Sequence, residues 1–420
     1  MIRQLFISSS YPPIDSSVTL INSKINNKLE IKNILTTVLT VTPEDTILPV
    51  NNELETIFAS KHNVYRVHTW EKGSATVTLL RRILRKLMPF LFFVPDYHFI
   101  WTILASKELY RIRKESPFDI IHSVSAPYCS HIVGLFAKLT TGKPWVCHMD
   151  DFWADNPAEH FSCFRFANYW LERLCFEFAD AIISSSREIL DLASRRCSSR
   201  ITKKFIFIPP GYEPSHYPTI ENHEKQKYIL SYLGAFYKNK REPYTLLEAL
   251  KMLKDSNTKI YTLLEVRLIG DSSSDYQEMI NQLSINDAAK CFNRVNYLKS
   301  MELMKDSSVL IHLGYMSGKH VQDIHISGKL FEYLGAERLI LGVTTLDGPV
   351  ADFIRNANGK VCDYNSPESI AQTITDIVQN YTIKELYNWN MNQITKATYH
   401  IDRIADSYSK LFSILSSESI

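Results

Sequence analysis

The chain has 420 residues, of which 45% are hydrophobic, 22% are charged and 12% are aromatic. This is the composition of a folded globular protein, so it excludes disordered, collagen-like and fibrous chains, and the length predicts two or three domains. A formal net charge of +2 excludes a histone-like or ribosomal role, because such a role depends on bulk attraction to nucleic acid.

Short apolar runs alternate with helical patterns along the first half of the chain. The predicted strands are residues 4–7, 35–39, 119–122, 145–148, 181–184 and 205–208. Alternation of this kind is typical of βαβ units, so the first half is predicted to form a doubly wound, parallel sheet. The first run is soon interrupted by polar residues, and we interpret it as a strand and not as a signal peptide.

A polar segment that contains two prolines, residues 213–227, separates this pattern from a second one. The strand patterns YILSYLG, EVRLIG, VLIHLG and RLILGV then alternate with helical patterns such as PYTLLEALKML, KLFEYLGA and VADFIR. The prediction is an α/β protein with two tandem Rossmann-like domains, at 1–212 and 228–390, joined by a linker at 213–227. Residues 391–420 have apolar positions at helical spacing and therefore need a packing partner.

Cysteine spacing and hydropathy indicate whether the chain is cytosolic and whether it contacts a membrane. Seven scattered cysteines without a C-x-x-C pair indicate reduced thiols in a cytosolic protein, with neither a disulfide framework nor a zinc site. The most apolar segment, residues 87–104, contains two prolines, Asp96 and His98, and falls short of the roughly 20 apolar residues of a spanning helix. The preceding basic run, residues 81–86, is either an interfacial anchor on anionic lipid or the outer face of a core helix.

Ligands of parallel sheets bind beyond the carboxyl ends of the strands, and polar residues follow several predicted strands in the first half. His122 ends the DII run, where a histidine can bond a sugar hydroxyl or hold a proton, or can serve structure alone. Asp150 and Asp151 precede Trp153, and carboxylates with an aromatic ring suit a sugar. The alternative is that Asp150 caps a helix. The loop 8–17 either contacts hydroxyls or phosphate or forms a serine-capped turn.

The segment SGKLFEYLG in the second half combines a helix start with charged side chains. Ser327 is at the predicted N-cap, where free N–H groups and the helix dipole attract an anion such as a diphosphate. Lys329 adds positive charge, and the Glu332 carboxylate can accept both ribose hydroxyls of a nucleotide. The alternative is an ordinary helix with a buried apolar stripe and a solvated face. Lys240 and Arg241, after the strand YILSYLG, form a second basic pair that suits a phosphate or is simply solvated.

Taken in order, these motifs resemble the GT-B glycosyltransferases, specifically the retaining, nucleotide-sugar-dependent class that builds bacterial surface polysaccharides. The resemblance extends over nearly the whole chain and rests on motif order and spacing. The motifs are YPP at Tyr11, FVPDYHFIW at Phe93, FDIIHSVSAPYCSHIVGLFAKLTTGKPWV at Phe118, DFWADNP at Asp151, ADAIISSSREI at Ala179, IPPGYEP at Ile208, YLG ending at Gly234, and SGKLFEYLGAERLILGV at Ser327.

The resemblance implies roles for individual residues. Glu332 matches the second glutamate of the family's Glu, seven residues, Glu motif and is implied to bind the donor ribose, while Arg241 is implied to neutralise the diphosphate. His122 and Asp151 match first-domain residues near the reacting sugar and are the predicted catalytic residues. The last helix is implied to cross back onto the first domain. The predicted donor-binding residues are Gly234, Lys240, Arg241, Lys329 and Glu332.

Two departures from the family pattern affect the donor site. The first motif glutamate would fall at Ile324, so the contact to the transferred sugar is absent or comes from a neighbour such as Asp323. The glycine-rich turn expected after YPP is replaced by the sequence IDSS. The identity of the donor sugar therefore does not follow from the resemblance.

The resemblance implies transfer of a sugar from a nucleotide diphosphate to a hydroxyl of a lipid-linked glycan, with retention of configuration. No D-x-D motif is present, so neither a divalent metal nor another cofactor is expected. The implied setting is the cytoplasm, with a peripheral position on the inner face of an anionic cytoplasmic membrane. A nucleotide-sugar epimerase of the same fold and a catalytically silent scaffold in a polysaccharide assembly complex are the alternatives.

Overall fold

The computed structural model describes residues 1–58, 62–69, 94–96, 98–151, 153–154, 162–219, 225–317, 320–321 and 326–417. The chain divides into two compact units. The first unit contains residues 1–210 and the C-terminal residues from Ile401 onward, and the second contains residues 211–400. The predicted linker therefore begins inside the second unit, and residues 391–400 also belong to that unit.

The first unit contains seven parallel strands among the described residues. They are β1 (Ile2–Ile7), β2 (Ile34–Val41), β3 (Asn63–Val67), β4 (Ile120–Ser125), β5 (Trp145–Met149), β6 (Ala181–Ser184) and β7 (Phe205–Phe207). Its helices are α1 (Ser17–Ile31), α2 (Glu53–Ile57), α3 (Phe99–Glu115), α4 (Cys129–Thr141), α5 (Ser162–Phe178), α6 (Arg187–Ser194) and α7 (Ser199–Thr202).

The second unit repeats the architecture. Its strands are β8 (Tyr228–Leu233), β9 (Leu264–Ile269), β10 (Ala289–Phe292), β11 (Val309–Leu313), the short pair β12 (Met316–Ser317) and β13 (His320–Val321), β14 (Leu339–Thr344) and β15 (Lys360–Asp363). Its helices are α8 (Tyr244–Ser256), α9 (Thr258–Thr262), α10 (Gln277–Gln282), α11 (Tyr297–Lys305), α12 (Gly328–Ala336), α13 (Pro349–Asn356), α14 (Pro367–Asn380), α15 (Ile383–Tyr387) and α16 (Gln393–Thr398). The last helix, α17 (Ile401–Ser417), belongs to the first unit.

The first sheet has the strand order β3-β2-β1-β4-β5-β6-β7. Helices cover both faces, so the central strands β4 and β5 are buried along their whole length and successive side chains enter opposite cores. Ile121 packs in the core that contains residues of α3, α4 and α5, while its neighbour Ile120 packs in the core that contains α1 and α17. Helix α1 begins after Ser16, whose side chain accepts a hydrogen bond from the backbone N–H of Thr19.

The C-terminal helix α17 packs on the first unit and meets the predicted need for a partner. Its buried side chains, Ile401, Ile404, Ala405, Tyr408 and Phe412, form one core with Ile25 and Leu29 of α1 and with the strand residues Ile120 and Val146. Burying a large apolar side chain of this kind contributes about 1.5–3 kcal/mol. The predicted GT-B arrangement, in which the last helix returns to the first domain, is confirmed.

The second sheet has the order β10-β9-β8-β11-β14-β15, and all of these strands are parallel. Its main core combines alternate strand residues with the apolar sides of α8 and α14. The carboxyl ends of β8, β11 and β14 therefore lie along one edge, which is where α12 begins. The predicted fold of two tandem doubly wound α/β domains is confirmed.

The predicted basic anchor, residues 81–86, lies outside the described residues, and so do residues 87–93 and 97 of the apolar segment 87–104. Within the described ranges, no helix combines the length and the apolar character that a membrane crossing requires. Among the side chains that the structure describes, six cysteines are free thiols: Cys129, Cys147, Cys175, Cys197, Cys291 and Cys362.

Candidate functional site

Two glycines form the floor of the candidate donor site at the carboxyl edge of the second sheet. Gly234 follows β8 with φ +145°, and Gly270 follows β9 with φ +154°, a backbone conformation that favours glycine. An added Cβ at Gly270 would lie 1.9 Å from the carbonyl oxygen of Gly234. A Cβ at Gly234 would lie 2.4 Å from Lys329 Nζ. The two loops therefore approach each other to a distance that only glycine permits at position 270, and the Lys329 ammonium lies close to Gly234.

The Lys329 side chain is held in place by Tyr232 at the end of β8. Its Nζ donates a hydrogen bond of 2.8 Å to the Tyr232 hydroxyl and lies 4.1 Å from the centre of the Tyr232 ring. The same hydroxyl donates to the carbonyl oxygen of Ala235 at 2.8 Å. The structure thus brings together Lys329 and Gly234, two of the residues predicted to bind the donor.

Lys240 and Arg241 converge on one aromatic ring. A backbone bridge between Tyr237 and Arg241 closes the turn that carries them. Lys240 Nζ lies 5.8 Å and Arg241 Cζ lies 5.6 Å from the centre of the Tyr315 ring, just beyond the end of β11. The Arg241 Nε atom is buried and has no hydrogen-bond partner within the described part of the chain. A buried donor of this kind suits an anionic ligand, because an unmade hydrogen bond is costly.

Helix α12 presents Lys329 and Glu332 three residues apart, hence on the same side. Ser327 occupies the predicted N-cap position, but its side chain makes no capping bond. Its Oγ is buried without a hydrogen-bond partner among the described residues. Glu332 accepts a hydrogen bond from the hydroxyl of Tyr217, which lies 2.7 Å from Oε2. The helix start therefore combines the positive dipole end, a lysine and an oriented carboxylate.

In the first unit, His122 lies in the core. Its ring is fully buried and stacks on His148, with centroids 5.5 Å apart, while Phe6 and Phe412 pack edge-on. Its Nδ1 is 2.9 Å from Gln4 Nε2. Burial, followed by the neighbouring His148, holds the pKa of His122 well below its ordinary value, which favours the neutral ring.

Asp151 stands in a different environment, because it is exposed just after β5. Its neighbour Asp150 pairs instead with the buried His148, whose Nε2 lies 3.0 Å from Asp150 Oδ1. The other nitrogen of His148, Nδ1, is 3.3 Å from the Tyr408 hydroxyl of α17. The catalytic roles of His122 and Asp151 stay predictions.

The structure adds residues that the sequence patterns do not reveal. Tyr232, Tyr315 and Tyr217 contact Lys329, the Lys240 and Arg241 pair, and Glu332, respectively. Tyr217 comes from the polar segment predicted as a linker, where a 3-10 turn at Pro214–His216 delivers it to α12. Ile324 and Asp323 lie outside the described residues. Among the described residues, no group of three or more His, Cys, Asp or Glu side chains is arranged to hold a metal ion.

Comparisons with known proteins extend over the same two units. The model of the glycosyl transferase 4-like domain matches residues 61–210, and the model of the glycosyl transferases group 1 matches residues 216–396. An uncharacterized glycosyltransferase of Methanocaldococcus jannaschii is 22% identical over 307 residues, which are 70% of this chain and 75% of that protein.

Solved structures share the fold over the full length. HepE of Anabaena in complex with UDP and glucose has a TM-score of 0.66 at 14% identity and matches over 98% of this chain and 100% of that chain. The sucrose-phosphate synthase of Thermosynechococcus elongatus has a TM-score of 0.68 at 12% identity, over 100% of both chains. Nucleotide-sugar epimerases also occur among the similar structures. Because the two family models match in tandem, one in each parallel-sheet unit, the chain belongs to the GT-B glycosyltransferases.

Proposed function

We propose that the protein transfers a sugar from a UDP-sugar to a hydroxyl of a lipid-linked glycan with retention of configuration, in the synthesis of a surface polysaccharide. The observation that carries this proposal is the placement of Lys240, Arg241, Lys329 and Glu332 around the carboxyl edge of the second sheet, where parallel sheets bind nucleotides. The similar Anabaena structure holds UDP and glucose, which supports uridine as the nucleoside.

In the proposed reaction the bond between the sugar anomeric carbon and the diphosphate breaks, and its electron pair leaves with UDP. The acceptor oxygen bonds to the same face of that carbon, and its proton passes to a donor phosphate oxygen. Arg241, Lys329 and the start of α12 stabilise the charge on the departing diphosphate, and Glu332 holds the ribose. No metal ion takes part in this scheme.

Asp151 is proposed to orient the transferred sugar or the acceptor. Asp151→Asn is expected to lower turnover by roughly tenfold to a hundredfold, because the amide cannot accept the same bonds from sugar hydroxyls. Nucleotide affinity, measured by calorimetry, is expected to stay unchanged. Asp191→Asn, which alters an exposed carboxylate on α6, is the matched control. Wild-type turnover by Asp151→Asn would contradict the role, and loss of folding would assign Asp151 to structure.

Helix α5 supports a peripheral position on a membrane. Four apolar side chains repeat every fourth residue along its outer side, and their exposed fractions are 70% for Phe166, 50% for Trp170, 42% for Leu174 and 40% for Phe178. Arg173 Cζ lies 5.7 Å from the centre of the Trp170 ring. Residues 195–204 hold five basic side chains and no acidic one. Aromatic residues flanked by basic ones are typical of surfaces that contact anionic lipid.

Co-sedimentation with phosphatidylglycerol vesicles tests this position. The double variant Phe166→Ser, Trp170→Ser is expected to lower the bound fraction by roughly tenfold or more, because it removes the apolar groups that enter the interface. Replacing Arg81, Arg82, Arg85 and Lys86 by Gln is expected to release the protein too, and to matter less at high salt.

Ile394→Ser is the matched control for the vesicle experiment, since Ile394 is 80% exposed in the second unit. Equal binding by the wild type and both multiple variants would contradict the membrane proposal. Equally strong binding to vesicles made only of neutral lipid would contradict the proposed attraction to anionic lipid.

The alternatives differ in what they do with the donor. An epimerase converts a nucleotide sugar to its epimer without an acceptor. This alternative is supported by the epimerases among the similar structures. A silent scaffold binds no donor. Product analysis with and without a glycan acceptor therefore separates the three functions.

A further inference from the structure

Tyr217 contacts α12 at the residue proposed to bind ribose. It follows the 3-10 turn Pro214–His216 near the start of the second unit. Its hydroxyl lies 2.7 Å from Glu332 Oε2 and 2.8 Å from the carbonyl oxygen of the same residue. Both acceptors belong to Glu332, so one phenol fixes the side chain and the backbone of this helical turn relative to each other.

Gly335 makes room for the Tyr217 ring. A Cβ at Gly335 would lie 2.5 Å from both Cε2 and Cζ of Tyr217 and 2.6 Å from its hydroxyl oxygen. Any larger residue would push the ring away from Glu332. A glycine inside a helix makes the helix less stable than an alanine would. Helix propensity alone would therefore favour a larger residue at position 335, where the Tyr217 ring now takes up the space.

The surroundings keep the phenol protonated as a donor. Burial and the negative charge of Glu332 raise the pKa of Tyr217 well above its ordinary value. The pKa of Tyr297 is raised in the same way by burial and by the charges of Glu332 and Glu213. The Tyr297 hydroxyl lies 3.0 Å from Nδ1 of His216, so the turn that precedes Tyr217 is anchored to α11 as well.

We propose that Tyr217 is a positioning residue for the donor ribose. It holds the Glu332 carboxylate in the orientation from which that carboxylate accepts hydrogen bonds from the ribose hydroxyls. Selection for a ribose then depends on a tyrosine hydroxyl that does not contact the nucleotide. The segment that opens the second unit thereby becomes part of the donor site, acting through Glu332. This inference rests on the proposed binding of a nucleotide sugar.

Calorimetry with the full chain tests the inference, using UDP and 2′,3′-dideoxyuridine diphosphate as probes. Tyr217→Phe keeps the ring against Gly335 and removes only the hydroxyl. UDP affinity is expected to fall by about three- to tenfold, whereas affinity for the dideoxy probe is expected to stay at the wild-type value. Tyr261→Phe is the matched control, because it also removes a tyrosine-to-carboxylate bond, to Asp287, within the second unit.

Two further variants keep the test decisive. Gly335→Ala displaces the ring without altering the hydroxyl and is expected to give the same selective loss. In a Glu332→Gln background, Tyr217→Phe is expected to lower UDP affinity by less than it does in the wild-type chain, because the two residues act together. Three results would overturn the inference: unchanged UDP affinity in Tyr217→Phe, an equal loss of affinity for both probes, or full additivity of the two affinity losses in the double variant. None of them would contradict the binding of UDP by the wild-type chain. Failure of the wild-type chain to bind UDP, GDP or ADP would instead overturn the proposed function, and the inference with it.

Discussion

Replacing Arg241 by alanine is expected to lower sugar transfer by roughly 10²-fold or more, the usual effect of removing one group that stabilises transition-state charge. The Arg241 guanidinium lies beside Tyr315, and its buried Nε has no partner in the described ranges, so this donor is available to an anionic ligand. Charge on the diphosphate grows as the sugar leaves, and Arg241 is placed to meet it. The rate of UDP release measures the effect.

Lys238→Ala is the matched control for Arg241→Ala. Lys238 is an exposed basic residue in the same turn, and its loss is expected to leave turnover near the wild-type value. An equal loss in both variants would mean that only the net charge of the turn matters. Wild-type turnover by Arg241→Ala would remove this residue from the proposed diphosphate site.

Replacing Glu332 by alanine is expected to weaken binding of UDP by about 1–3 kcal/mol, because the ribose hydroxyls lose a charged acceptor. The Tyr217 hydroxyl also loses its bond to the carboxylate, so the effect is expected to exceed that of Tyr217→Phe. Calorimetry with UDP, GDP and ADP measures the change and identifies the preferred nucleotide. Glu248→Ala, on the exposed side of α8, is the control, and unchanged affinity in Glu332→Ala would exclude Glu332 from the site.

The central strands were predictable because burial on both faces imposes runs of apolar residues. Strands β3, β10 and β15 escaped prediction, and each lies at an edge of its sheet. Edge strands are partly exposed, and their charged or polar residues, such as Arg66 and Lys290, interrupt the apolar pattern. No comparable run distinguishes them from loops.

His122 illustrates a different limit of sequence patterns. The prediction ends its strand at residue 122, but β4 continues to Ser125, so His122 lies within the strand. The ring is accommodated in the core because Gln4 and His148 lie at its two nitrogens, and a buried polar group needs such partners. Those partners come from strands β1 and β5, so sequence neighbours alone could not indicate them.

The second-unit site shows how far local patterns reach. A strand followed by a polar loop predicts where Gly234, Lys240 and Arg241 lie, because the chemistry is local. The tyrosines that orient the charged groups are distant in sequence, and Tyr217 precedes Glu332 by 115 positions. The role of Gly335 could not be predicted from the sequence either, because it depends on the ring of the distant Tyr217.

Sugar transfer by this chain is tested most simply by identifying the products. The purified chain is incubated with a UDP-sugar panel, with and without the lipid-linked glycans of its source, and products are identified by mass spectrometry. We expect UDP release together with a glycan that is heavier by one sugar unit, only when the acceptor is present, and a loss of both in Arg241→Ala. A new UDP-sugar isomer formed without acceptor, or no turnover by a chain that binds no nucleotide, would contradict the proposed sugar transfer.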